Sequence, residues 1–292
     1  MKYRVHLLRL LGLGGALSAT ACGRAVNLLN SDGPRFLGSY APAQPPAEPA
    51  TRPIRVVTFN IQESREIDSA IVVLRGDSLR GADVVALQEM DERGVDRIAR
   101  ALKLNYAYYP AVIHPKTHGY YGPAVLTPWP IERSWKVMLP HESWGRKQRR
   151  TATAAVVRIH DLPVAVYAVH LETMVKMSDP RRTEQAMAVT GDAKRYHGPV
   201  VILGDFNDPA MAARMRGQGF TWATEWVGPT HMGLFTLDHI MTRGLTPVTP
   251  TSVGVVQDNR KASDHHPVWA VLAPESPTSL GLHEAAAAPD HP

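Results

Sequence analysis

Short runs of β-branched and aromatic residues recur along this chain, and several of them stop abruptly at a polar residue. Val200, Val201, Ile202 and Leu203 are followed at once by Gly204, Asp205, Phe206, Asn207, Asp208 and Pro209. Four branched aliphatics in a row suit a strand buried in a sheet core. Carboxylates and an amide on the lip of such a strand need partners, because a buried polar group without one is costly. Comparable runs are IRVVTFNI, DVVALQE, YAYYPAV, TATAAVVRIH, VAVYAVHLE, TLDHIMT and PVWAVLA, bounded by Gly, Pro or Asp. Between some of them, residues 66–80, 92–103 and 181–195 place apolar residues three and four apart among charges, the spacing of helices lying on a sheet. Many strands with few, scattered helices predict an α+β fold in which two sheets pack face to face with helices outside.

The chain has 292 residues and is 44% hydrophobic, enough for a sizeable core. Three of its five net positive charges come from Lys2, Arg4 and Arg9, ahead of any acidic residue, so the basic balance says little about nucleic acid. Residues 1–21 have a basic start, an apolar run from Leu10 to Ala19 and then small residues, the pattern of a bacterial export signal. The single cysteine, Cys22, follows ALSATA in a setting that resembles the lipobox at which bacterial lipoproteins are cleaved and acylated, although Ala19 stands where leucine is usual. One cysteine allows no disulfide within the chain. Residues 22–52 are Pro- and Ala-rich without apolar periodicity and predict a tether, residues 53–273 the folded domain, and residues 274–292 a disordered tail. The expected location is the bacterial cell envelope, as a membrane-anchored lipoprotein or a periplasmic or secreted protein, and a monomer.

Strand ends elsewhere carry the same chemistry as Asp205 and Asn207. Asn60 follows VVTF, Glu89 follows VVALQ, His170 follows VAVYAV, Asp238 and His239 follow TL, and SDHH precedes PVWAVLA. Singly, the amides suit turns, Asp205 a cap, the Asp208-Pro209 pair a loop start, and His170 a core edge. Jointly they predict a rim where carboxylates would repel one another unless a cation or substrate joined them.

In this order the stretches TFNI (58–61), LQEM (87–90), YGPAVLTPWPI (121–131), RRTATAAVV (149–157), VHLE (169–172), RTEQ (182–185), GDFND (204–208), LDHI (237–240) and SDHHPV (263–268) resemble the endonuclease/exonuclease/phosphatase superfamily across nearly the whole domain. The resemblance implies a four-layered αββα sandwich and metal-dependent cleavage of a phosphoester. It implies Mg²⁺, or Mn²⁺, bound by Glu89 with Asn60 and Asp264 completing its surroundings. Asp205 and Asn207 match the pair that handles the attacking water and scissile phosphate. His170 matches a phosphate-binding histidine, and His265 a histidine oriented by Asp238. Arg150 and Arg182 are candidates for contacting substrate or buttressing the site. Pro123 and Pro128 stand where many members have an amide and an arginine, and Gln62 where some abasic-site nucleases have an aspartate. The expected substrate is a phosphodiester or phosphomonoester in a nucleic acid, lipid headgroup or small phosphate ester. The alternatives are a nuclease in the strict sense, or a catalytically silent module of the same fold that binds a phospho-ligand. Trp222, Trp226 and His231 are further candidates for lining a pocket.

Overall fold

The computed structural model describes residues 23–43 and 52–275. In chain order the elements are β1 (Val26–Asn27), β2 (Phe36–Gly38), β3 (Ile54–Asn60), α1 (Ile67–Leu74), β4 (Val84–Met90), α2 (Glu92–Leu102), β5 (Asn105–Tyr108), β6 (Val112–Ile113), β7 (Tyr120–Thr127) and β8 (Ile131–Met138). They continue with β9 (Thr151–Ile159), β10 (Leu162–His170), α3 (Asp179–Ala193), β11 (Val200–Asp205), α4 (Pro209–Arg216), β12 (Thr221–Trp222), β13 (Asp238–Arg243), β14 (Leu245–Pro247), β15 (Val253–Val255) and β16 (Val268–Pro274).

One sheet runs in the order β1-β6-β7-β4-β3-β16-β14, with β5 also on β7, β2 on β5 and β15 on β16; the other runs β12-β13-β11-β10-β9-β8. Each is mixed, because β3 and β4 pair parallel, as do β10 and β11, while their neighbours are antiparallel. Three apolar clusters separate four layers. Val57, Phe59, Val85 and Leu87 face Ile71, Val95 and Ile98 of α1 and α2. Val56, Val84 and Ala86 meet Val166, Val201 and Leu203 between the sheets. Tyr167, Val200 and Ile202 face Ala186, Val189 and Met211 of α3 and α4. This is the expected αββα sandwich.

Local chemistry sets the helix limits. The pattern over 66–80 gives a helix only as far as Leu74, since Gly76 turns the chain back with its N–H on Val73 O at 2.9 Å. Asp208-Pro209 opens α4 rather than a loop: Asp208 caps it by accepting from the Ala210 N–H at 2.8 Å, and Pro209 takes the first turn, where its missing N–H costs nothing.

The expected tether over 22–52 needs correction for residues 23–43, which are built onto the domain. β1 pairs with β6 and β2 with β5, covering backbone groups that these short strands would otherwise leave unpaired. Phe36 packs on Tyr108 and Tyr120, and the Lys136 ammonium, buried and with its pKa lowered to about 8 by that burial, donates to Leu28 O, Asn30 O and Gly33 O at 3.1 Å each. The export segment, Cys22, most of the Pro-rich run and residues 276–292 of the expected tail lie outside the described residues.

The period of two along each strand determines what reaches the open end of the space between the sheets. On β10, Val164, Val166 and Ala168 face that space, so His170 does too; on β11, Val201 and Leu203 do, and Asp205 follows. Ile240 places Asp238 on the same side of β13, and Val56 places Asn60 on the same side of β3. His239, one residue out of step with Asp238, turns to the outer layer against Phe206 and Trp222.

β4 needs a correction to its register to obey this rule. Leu87 pairs with Ala124 and Met90 with Gly122, so Gln88 and Glu89 together oppose Pro123, which has no N–H to offer a partner. Glu89 takes a left-handed φ of 60° at this bulge, and Leu87 and Met90 both pack on the helix layer although three residues apart. Pro123, a departure at the sequence level, thus belongs to the device that aims Glu89.

Gly204 sits at φ 154° where β11 passes β10, and an added Cβ would stand 1.9 Å from Val169 O. We expect Gly204→Ala to push the two site-bearing strands apart and destabilise the fold by about 3 kcal/mol. Urea unfolding of the two proteins checks this, and an unchanged midpoint would show that the strands can yield.

Candidate active site

The polar strand ends meet in a pocket of about 490 Å³ whose lining includes Glu89, His170, Asp205, Asn207, Asp264 and His265. Asn60 and Asp238 stand directly behind it, bonded to Asp205 and His265 respectively. A larger cavity, about 640 Å³, lies between the N-terminal segment and β8 and contains none of these residues.

Asp205, 1% exposed, is the most enclosed carboxylate of the pocket. Its Oδ1 accepts from the Asn207 N–H at 2.8 Å and its Oδ2 from Asn60 Nδ2 at 3.0 Å, with His170 Nε2 at 3.5 Å and His265 Nε2 at 3.7 Å. Burial raises its proton affinity, opposed by His265 and reinforced by Asp238. A carboxylate so placed is fitted to take a proton from water near neutrality.

Glu89 accepts from Asn60 Nδ2 at 3.3 Å and from the Glu63 N–H at 3.0 Å. Asn60 departs from the expected ligand role. Its Oδ1 accepts from the Gln62 N–H at 3.0 Å, which turns the amide nitrogen toward both Glu89 and Asp205. A donor nitrogen orients carboxylates and offers no oxygen to a cation.

His170 has its tautomer set by Arg150. A guanidinium only donates, so Nδ1, 3.1 Å from Arg150 Nη1, must accept, and the ring proton is on Nε2, facing Asp205. Burial, with Arg150, His265 and Lys176 nearby, holds its pKa well below the usual range, so the ring is a neutral donor to an anionic oxygen. Arg150 is itself buried, held by Glu172 through Nε and Nη2 at 3.2 and 3.1 Å, with Nη1 3.4 Å from the Tyr121 hydroxyl. Of the two roles expected for Arg150, this geometry gives it the buttressing one.

Of the two roles expected for Arg182, the substrate contact requires correction. Arg182 is absent from the pocket lining; its guanidinium binds Asp208 at 2.7 Å and Asp179 at 3.1 Å, tying the start of α3 to the cap of α4. A side chain with both charge partners supplied within the fold has no free fork for substrate. Of the aromatic candidates, Trp222 donates to His239 in the outer layer and Trp226 is exposed at another surface hollow, whereas His231 does line the pocket.

His265 Nδ1 lies 2.8 Å from Asp238 Oδ2, which also accepts from Thr230 Oγ1 at 2.7 Å. The carboxylate thereby holds one tautomer and aims Nε2 at Asp205. Burial opposes the imidazolium, but Asp238 and Asp205 outweigh it and raise the pKa. Asn259 fixes the turn around Asp264 through Ser263 O and His265 O at 2.7 and 2.6 Å, and Asp264 stands beside His231. Thr230 and Asn259 were not singled out in the sequence, and Glu172 only as part of VHLE, since each is defined by the hydrogen bonds it makes after folding. Lys116, Arg146 and Lys176 add positive charge to the pocket wall.

A sequence profile of the Endonuclease/Exonuclease/phosphatase family matches residues 57–265, and the chain belongs to that family. Its members generally hydrolyse phosphoester bonds and use divalent metals. A search of curated proteins by sequence finds no match. Solved structures share the fold. An endonuclease/exonuclease/phosphatase from Beutenbergia cavernae is 21% identical, with 77% of this chain and 72% of that one covered at a TM-score of 0.60. Sphingomyelinase C from Streptomyces griseocarneus is 18% identical, covering 77% and 100% at 0.58. A mannosyl-6-phosphatase from Bacteroides thetaiotaomicron is 14% identical, covering 75% and 99% at 0.55.

The donor set fits a divalent cation. Asp205, Asp238 and His265 offer atoms within 4.8 Å of one another, as do His231, Asp264 and His265. The carboxylate oxygens of Glu89 and Asp264 are the hard donors that Mg²⁺ or Mn²⁺ takes together with retained water. No cysteine lies among the described residues to favour a softer metal.

The His265 and Asp238 geometry makes a specific pH prediction. Because Asp238 raises the His265 pKa, Asp238→Asn should keep the fold, lower turnover and move the histidine-linked alkaline limb of the rate profile to lower pH. In metal-free protein the stabilisation from the raised pKa should be complete below the unfolded value of about 6.5 and fade as pH rises through the folded value, and the variant should lose that dependence. Near wild-type turnover from about pH 5 to 9 in both His265→Ala and Asp238→Asn would exclude the dyad.

Proposed function

We propose that this protein is a divalent-metal-dependent phosphoester hydrolase of the bacterial cell envelope. The observation that carries the reading is the convergence in one pocket of Asp205 as proton acceptor, His170 as neutral donor and His265 as an Asp238-backed imidazole, beside Glu89 and Asp264 as anionic oxygen donors.

A divalent cation held by Glu89, with Asp264 and Asp205 at the same wall, would neutralise phosphate oxygens and favour attack on phosphorus. The chain's own groups do the rest. Asp205, kept in place by Asn60 and the Asn207 N–H, takes a proton from the attacking water. His170 Nε2–H donates to a phosphate oxygen as charge builds there, and Arg150 keeps that tautomer. His265 Nε2 stabilises the developing charge or protonates the departing oxygen. The water oxygen forms a new bond to phosphorus, one ester P–O bond breaks, and the alcohol leaves carrying a proton. Mg²⁺ is the cation we favour, with Mn²⁺ as a substitute.

The presence of Glu89, Asp205, Asp238 and His265 together supports an enzyme over a silent phospho-ligand module, which needs no dyad and no proton acceptor. The export pattern of residues 1–21 and the small residues before Cys22 support envelope location and acylation of Cys22.

Turnover of an activated phosphodiester should require Mg²⁺ or Mn²⁺, and Glu89→Gln should lower it by about 100-fold. Rates measured with metal and with excess chelator test this; undiminished turnover in chelator would overturn the metal role, and binding without turnover would favour the silent module. Mass spectrometry of the mature N-terminus should find a lipid-modified Cys22. A chain beginning elsewhere and unmodified would leave a secreted or periplasmic enzyme.

A further inference from the structure

Two turns contribute to the pocket wall, and both carry exposed apolar tips. Thr173 and Lys176 line the pocket, while Met174 and Val175 between them point outward, Val175 at 77% exposure. His231 and Leu237 also line it, with Met232, Leu234 and Phe235 exposed between them, Leu234 at 76%. Trp144, itself at the pocket and half exposed, is joined to the first turn by its N–H on Lys176 O at 2.9 Å. These six side chains are half of the twelve large exposed apolar residues among the described residues. Scattered apolar residues on a surface are ordinary, but a collar of them around the mouth of a polar pocket marks an interaction face.

Two further observations identify the occupant. Lys116, Arg146 and Lys176 line the same pocket, Lys116 and Lys176 exposed, so the face sets apolar tips beside cations, complementary to a bilayer whose phosphates lie beside its acyl region. The chain also enters the described fold at this mouth. Gly23 lies against Pro115, next to Lys116, and the Ala25 N–H donates to Arg146 O at 2.9 Å. The described chain therefore begins at the pocket rim, and Cys22 and the apolar run from Leu10 to Ala19 precede it in the sequence. Any membrane attachment through that segment, as a retained apolar leader or as an acylated cysteine, brings the mouth of the pocket to the lipid surface.

We propose that the pocket face docks on a lipid bilayer and that the ester cleaved is the phosphate of a membrane phospholipid headgroup. The substrate assignment rests on the hydrolase reading above; the docking face does not. The apolar tips enter the interface, the basic residues meet neighbouring lipid phosphates, and the headgroup phosphate reaches Asp205 and His170 without the lipid leaving the membrane. Water adds to phosphorus, one ester P–O bond breaks, and the released alcohol takes a proton.

The test uses full-length protein with Mg²⁺, mixed phosphatidylcholine and phosphatidylglycerol vesicles, and soluble bis(p-nitrophenyl) phosphate in parallel. A variant carrying Met174→Ser, Val175→Ser, Met232→Ser and Leu234→Ser should cleave vesicle lipid at least about tenfold more slowly while cleaving the soluble ester within about twofold of wild type. Brominated lipid should quench the emission lost in Trp144→Phe, which places that indole in the interface. Equal rates of both proteins on vesicles, or an equal loss on both substrates, would overturn the docking role. Cleavage of the soluble ester with no vesicle lipid cleaved would overturn the lipid substrate and leave the hydrolase standing. Cleavage of neither would remove the hydrolase reading and the substrate assignment together, with docking decided by the quenching alone. Absence of quenching would give the collar to a protein partner and overturn the proposal.

Discussion

The Asp205 carboxylate, taken out of water at the open end of the space between two sheets, is the constraint around which the rest of the site is arranged. A buried charge needs partners or a proton. Here the partners come from both sheets: Asn60 from β3, His170 from β10, and His265 from the turn before β16. The sandwich cannot close around Asp205 without bringing these groups together, so folding and assembly of the site are the same event.

The backbone yields where it must to permit this. Glu89 and Asn207 both adopt positive φ, as do Gln62, Glu63 and Ser64 in the turn beneath Glu89. Such conformations are costly for residues with side chains and persist where surrounding bonds over-determine them. The Glu63 N–H on Glu89, Ser64 Oγ accepting from the Asp91 N–H, and Asn207 Nδ2 on Leu171 O are those bonds. They keep the carboxylate and amide in place whether or not anything occupies the pocket, which is the pre-organisation that electrostatic catalysis requires.

Support from behind follows the same logic. The Arg150 and Glu172 pair is almost wholly enclosed, and its net worth to stability is small because both ions give up hydration. Its consequence is positional, since the guanidinium determines which nitrogen of His170 carries the proton. Thr230 does for Asp238 what Arg150 does for His170, accepting the backbone N–H groups of Leu237 and Asp238 while donating to the carboxylate. The two turns that bring Lys176 and His231 to the pocket wall also expose the apolar tips, so the pocket lining and those tips belong to the same segments.

Most of the candidate site residues were legible in the chain because an apolar run that stops abruptly at a polar residue is a local property. A reader who knows that Val201 and Leu203 face the core knows which way Asp205 points, and the apolar runs alone separate two sheets from three outer helices. Asp208-Pro209 read as a loop start, and α4 went unread, because a cap is defined by the bond it makes. Residues 23–43 looked like tether since their composition carries no periodicity; what holds them is the open backbone of β5 and β6 and the Lys136 ammonium, all remote in sequence. Likewise Arg182 and Arg150 are both arginines in charged stretches, and only the neighbours supplied by folding separate a helix tie from a histidine's support. The sequence by itself determined which residue types stand at the strand ends. The tertiary structure decided their partners, tautomers and access to solvent, because those depend on contacts such as that between Asn60 and Asp205, 145 residues apart, which no local pattern encodes.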